Sequence, residues 1–261
     1  WQAETTVPTS ITCLFLADEN AELSAFRAGE TDFSENAPQE ETTALINAGE
    51  AEYRFQLGTY YMSMNCEKAP FDDPNVRKAF SLAIDRDYIA NGVREGSVYP
   101  AYAFVGNGFN DATPEQDFRA VGGAMLPEDY ETSKTQAREA LAAAGYKTPD
   151  HPDGEEFPVV EYMYNEGTGH QLIAQAMQQQ WMDVLGVDVQ RFSQEWNVFL
   201  ASRRKRDYFM ARDGWIADYT AASSLVKLNM SSSGYNNSHY RCSDYDDFTQ
   251  NAASVTDAYA T

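Results

Sequence analysis

Residues 211–220 read ARDGWIADYT, where a guanidinium at Arg212 and a carboxylate at Asp218 bracket the apolar run Gly214-Trp215-Ile216-Ala217. Opposite charges so placed can make a surface ion pair, a buried structural pair, or the two ends of a clamp. In an extended strand, side chains i and i+6 share a face and lie up to about 20 Å apart. That separation is too long for a direct pair unless the chain turns. An extended peptide of a few residues has a similar length, with an ammonium at one end and a carboxylate at the other. Its main chain can pair with a strand laid beside it.

Further cations stand just upstream, at Arg203, Arg204, Lys205 and Arg206. They suit either a solvated helix end, where cations complement the helix dipole, or a local anion-binding role. Trp196 and Trp215 lie near Arg203 and Arg212 in sequence. Most aromatic side chains serve the core, but aromatic faces beside cations also suit a pocket for a ligand both apolar and anionic.

Catalytic signatures are largely missing. No nucleophile elbow, phosphate-binding loop, dinucleotide fingerprint or zinc-protease helix occurs. Ser-x-x-Lys spacing appears at Ser202/Lys205 and at Ser224/Lys227, without the companion motifs that give it meaning. Asp244, Asp246 and Asp247 lack the glycine turn and bidentate glutamate of a calcium loop and read better as the acidic start of a helix. The histidines at 151, 170 and 239 are scattered, and Cys13, Cys66 and Cys242 have no metal-ligand spacing. The expectation is a binding module that needs no cofactor or metal. An enzyme, most plausibly a hydrolase with paired carboxylates, is disfavoured because no acid pair stands beside an activated nucleophile.

The elements that would position these residues alternate strand with helix. Strands are expected at 9–16, 31–34, 52–57, 59–65, 157–164, 187–192 and 208–216. Helices are expected at 19–28, 39–47, from Pro74 behind an Asp73 cap, from an Asp85 cap, from a Ser133/Gln136 capping box to Gly145, at 169–185, 195–203 and 220–229, and from Asp244. Ile173, Met177, Trp181, Val184 and Leu185 mark the buried stripe of the 169–185 helix. Residues 96–127 are aperiodic and rich in Gly, Pro and aromatics, as expected of a functional or surface-draped loop. The pattern is α/β, with layered sheets flanked by helices.

Composition sets the outer bounds. The 261 residues are 43% hydrophobic, enough for a packed core. Forty acidic against 19 basic residues leave a net charge of −21, which disfavours nucleic acid and anionic membrane surfaces as partners. No run of 18 apolar residues is present. The N-terminal WQAETTVPTS resembles no signal peptide or natural start, and the C-terminal NAASVTDAYAT stops within a helical pattern, so part of a longer protein is expected.

Several segments, in order, carry a family likeness: NAELSAFRAGETDFSENAP, GTYYMSMNCEKAPFDDPNVRKAFSLAIDRDYI, AREALAAAGY, WMDVLGVDVQ, EWNVFL and ARDGWIADY. Together they resemble the extracytoplasmic solute-binding proteins of the oligopeptide/dipeptide ABC-transporter family (family 5). The resemblance implies a periplasmic-binding-protein type II-like clamshell with mixed sheets, mostly one lobe of it present here: residues 1–64 part of the first lobe, ending in a hinge strand, and residues 65–261 most of the second. It implies capture of oligopeptides for an ABC importer, with permease partners, a monomeric state and an extracytoplasmic location, lipid-anchored through an N-terminal part outside this chain. The family alternatives are a non-peptide solute such as a nickel chelate or sugar, or a peptide-sensing receptor without transport.

Residue by residue, the resemblance places the ligand ammonium on Asp218, the main chain along Gly214, Trp215 and Ile216, and the carboxylate on Arg212. Arg203 and His170 match positions that serve the carboxylate of peptides of other lengths, and Trp196 matches a pocket wall. Arg204 stands where some members carry histidine. Such a compartment also permits a Cys66–Cys242 disulfide, against the alternative of free buried thiols.

Overall fold

Asp73 and Pro74 open the helix that organises the largest core. The Asp73 carboxylate accepts the Asn75 N–H at 2.7 Å, and Pro74 occupies the first turn, where a missing N–H removes no bond. In the computed structural model, which describes residues 7–16, 18–111, 113 and 115–252, the chain divides into two compact units between Tyr53 and Arg54.

The first unit holds helices α1 (Glu19–Arg27) and α2 (Gln39–Ala48), capped at their ends by Ala28 and by Gly49, the latter at φ 74°. Glu22 accepts bonds from Ser34 Oγ and from the amides of Glu35 and Asn36. Burial pushes its carboxyl upward, but those bonds win and hold it below the ordinary value. The strands expected at 9–16 and 31–34 are not formed, nor is one at 52–57 in and beyond this unit. A strand exists only where a neighbour completes its ladder, and no described residue does so; Phe15 is 97% exposed.

The second unit is built on a mixed sheet of β1 (Gly58–Met64), β2 (Val160–Asn165), β3 (Val189–Gln194) and β4 (Met210–Ile216), in the order β1-β4-β2-β3. β1 runs antiparallel to β4 over its whole length, while β2 is parallel to both β3 and β4. β1, read from the sequence as the end of the first lobe, is thus part of this sheet. Gly58 is required at its start: a Cβ there would meet the Trp215 carbonyl oxygen at 2.5 Å.

One face of the sheet carries α3 (Pro74–Leu82), a π-helical turn at Tyr88–Val93, α5 (Tyr130–Ala143) and α6 (Thr168–Leu185). The α6 stripe is buried as its spacing predicts, and Gly186 at φ 73° ends the helix. Trp181 is fully buried among Phe80, Tyr162 and Leu141, with its indole N–H on the Phe80 carbonyl at 3.0 Å. Each such large apolar side chain stabilises by about 1.5–3 kcal/mol. α5 starts one turn before the expected capping box, at an Asp129 cap; Ser133 is buried and donates to the Leu82 carbonyl instead. Asp85 accepts the Tyr88 amide ahead of the π-turn.

The other face carries α7 (Trp196–Arg204), whose Phe199 packs with Met163, Tyr208 and Ala211. The aperiodic segment around residues 96–127 contains α4 (Phe118–Gly122). It packs Val105 and Phe109 against Leu225 and Leu228, with Trp215 at the margin. Leu225 and Leu228 come from α8 (Ser223–Val226) and a 3-10 turn, shorter than the helix expected there; α9 (Ser243–Ala252) follows. The continuation of that last helix lies outside the described residues. All three cysteines are free.

Candidate functional site

β4 is paired unequally on its two sides. Against β1 the ladder runs from Met210 to Ile216, but against β2 it involves only Met210 and Ala211. The bonds Asn65 N–H to Phe209 O and Ala217 N–H to Leu57 O fix the alternation. Odd-numbered residues turn their backbone groups toward β1, and even-numbered ones turn theirs away. Beyond Ala211, Gly214 and Ile216 therefore present main-chain groups on an edge that no described strand covers. Trp215 is committed to β1, so the main-chain role carried over to residues 214–216 falls on Gly214 and Ile216. Ligands of open α/β sheets gather at the carboxyl ends of such parallel strands. Buried polar atoms without a partner collect there too: Asn165 Oδ1, Gln194 Oε1, Arg212 Nε and Trp215 Nε1.

On the face of α6, the register places Met62 opposite Arg212 and Tyr60 opposite Gly214. The Arg212 guanidinium lies over the Tyr60 ring, 5.1 Å from its centroid. Tyr60 also stacks on His170 at 5.7 Å between centroids, and its hydroxyl is 3.2 Å from His170 Nδ1. His170 sits in the first turn of α6, where helix dipole and orphan amides favour an anion. Burial, then the charges of Arg212 and Arg94, push the imidazole down to about 4, so it is neutral at neutral pH. Tyr162, fully buried, brings its hydroxyl near that of Tyr60 without completing a bond of regular geometry. Tyr60 remains 38% exposed, which opens the cluster to solvent. Among the described residues, no carboxylate lies within ion-pair distance of Arg212. The arrangement is a cationic recess fit for a carboxylate.

On the opposite face the polarity is already balanced. Asp213 is 3% exposed and receives Arg203 Nη1 at 2.7 Å, Ser63 Oγ at 2.9 Å, Asn237 Nδ2 at 2.8 Å and the Gly214 amide at 2.9 Å. Arg203, carried over as a carboxylate-binding residue, is thus held by a carboxylate of its own chain. Arg212 and His170 come together; Arg203 stands across the sheet from them.

The other expected residues lie along the open end. Asp218 is exposed just past β4, its amide bonded to Ser224 Oγ at 3.0 Å. Ile216 is 63% exposed. Trp215 packs edge-on against Tyr235, and Trp196, 45% exposed, stacks on Phe199. Tyr60, Tyr162, Asn237 and Asp213 were missed by sequence reasoning. Asp213 had a signal: a charged residue inside an apolar strand needs a partner, and Arg203 is ten positions back. The tyrosines had none beyond their strand pattern.

Residues 1–237 match the family model described as bacterial extracellular solute-binding proteins, family 5 Middle. The chain is 32% identical over 266 aligned residues to the periplasmic oligopeptide-binding protein OppA of Escherichia coli K12, covering 98% of this chain and 46% of that protein. Among solved structures it is similar to the murein tripeptide-binding protein MppA of Escherichia coli, with a TM-score of 0.79, 30% identity and coverage of 93% and 46%. The Haemophilus influenzae OppA complex with RPPGFSPFR gives a TM-score of 0.76 at 29% identity, over 92% and 46% of the two chains. The chain therefore spans about half the length of these relatives, which are solute-binding proteins and not enzymes. No described helix is long and apolar enough to cross a membrane.

Proposed function

Because this chain belongs to the bacterial extracellular solute-binding proteins of family 5, we propose that it is part of the peptide-capturing component of an ABC importer. The half-paired β4 carries this reading. An extended peptide added along residues 212–216 would pair with the outward carbonyl of Gly214, whose amide is taken by Asp213, and with the outward groups of Ile216, and such pairing is blind to side-chain identity. Asp218 takes the ammonium end; Arg212, beside neutral His170 and the Tyr60 hydroxyl, takes the carboxylate. Charge-assisted bonds of this kind are strong in an enclosed site, and arginine's planar fork suits a carboxylate. Trp196 and Trp215 supply apolar walls for side chains.

In the same reading residues 65–261, with β1 paired into their sheet, form most of the peptide-bearing lobe, and the residues before β1 belong to the other. The intact protein works at the outer face of the membrane as a lipid-anchored monomer that delivers ligand to permease subunits. Native mass spectrometry of the full-length protein with its co-purified ligands tests the assignment. Peptides of a few residues are expected. A nickel chelate or sugar in their place would overturn it, as would turnover of a peptide library.

A further inference from the structure

Asp213 Oδ1 holds two groups at once, the Arg203 guanidinium and the Gly214 amide. The Gly214 amide points outward at the uncovered edge of β4, so Arg203 lies beside that edge on the face opposite Arg212. Its side chain is 16% exposed and its partner's 5%. A cation so placed would attract a ligand carboxylate, were it not already neutralised within about 3 Å. Resting on the peptide reading above, we propose that Asp213 is the residue that sets ligand length. By binding Arg203 it withdraws one cation from the edge and leaves the carboxylate end of the ligand to Arg212.

The geometry gives this a direction. Measured from Asp218, Gly214 is nearer than Arg212 by two residues, or about 7 Å of extended chain. A carboxylate drawn to a freed Arg203 would belong to a peptide shorter than one drawn to Arg212. Asp213 also takes the Gly214 amide, so the ligand meets one donor fewer where the shorter peptide would end. Ser63 and Asn237 fix the carboxylate from β1 and from the 231–242 segment, so it cannot swing away to release either group.

The test is calorimetry on the full-length protein with a series of alanine peptides from two to six residues. Asp213→Asn keeps the shape and removes the charge; it is expected to bind the shorter peptides about tenfold tighter relative to the longer ones than wild type does. The double variant Arg203→Met/Asp213→Asn removes both charges together, and its length preference should return to that of wild type. If wild type binds peptides and Asp213→Asn keeps the wild-type profile, the length role of Asp213 is overturned while peptide binding stands. Loss of a wild-type peptide from the double variant would equally overturn it, because Arg203 would then be serving ligand. Wild type that binds no peptide of any length removes the peptide reading itself.

Discussion

Tyr60 and His170 meet twice, ring on ring at 5.7 Å and hydroxyl on Nδ1 at 3.2 Å. The contact ties a strand residue to the first turn of α6, and the Arg212 guanidinium lies over the same phenol ring. The recess offered to a carboxylate is therefore held together by contacts within the chain.

Arg212→Ala and Asp218→Ala should each weaken peptide binding by the full-length protein roughly tenfold to a hundredfold, the range of a lost charge-assisted bond. The Asp218 side chain is exposed and supports nothing in the fold, so its variant should keep the wild-type thermal midpoint. Calorimetry beside a melting curve separates the two effects; unchanged affinity in both variants would end the two-ended clamp.

Asp213→Ala should cost about 3–5 kcal/mol of stability, because Arg203 is left as a partly buried charge without its partner. Denaturant unfolding of Asp213→Ala and of the paired neutral variant checks this. The single loss should be the larger one.

His170 carries a pH dependence whose sign follows from its lowered value. Between pH 6.5 and about 4 the unfolded chain holds a proton that the folded chain refuses. Stability therefore falls as pH drops through that window, by up to about 1.4 kcal/mol per pH unit. In His170→Gln the curve of unfolding free energy against pH should be flatter there; an identical slope would mean that the imidazole is not held neutral.

Trp181→Ala removes a fully buried indole and its bond to the Phe80 carbonyl. A loss of about 3–5 kcal/mol is expected, seen as an earlier denaturation midpoint with ligand contacts untouched.

Helices were legible in the sequence where local chemistry decides them. Asp73-Pro74, the α6 stripe and Gly186 all act as their spacing predicts. Strands were legible only where a partner existed: the 9–16 run reads like β1, yet only β1 has a neighbour to bond. The α5 start shifted because Asp129 caps better than the buried Ser133, which is spent on the Leu82 carbonyl. At the site, Arg212 and Asp218 were visible as charges flanking an apolar run. The commitment of Arg203 to Asp213 was not, because it depends on α7 crossing the far side of the sheet. Tyr60 acquires its place only through the β1–β4 register, which no local pattern encodes.

That register also gives β4 a parity. Its odd residues fasten the strand to β1 and its even residues face away from β1, so a single inserted or deleted residue near position 212 would exchange the two sets. The guanidinium of Arg212 would turn to the α7 side, the carboxylate of Asp213 to the α6 side, and the bonding groups of Gly214 inward. A substitution along 211–216 alters one contact, whereas a change in its length moves every one of them, so in lineages descended from this sequence the segment should keep its count.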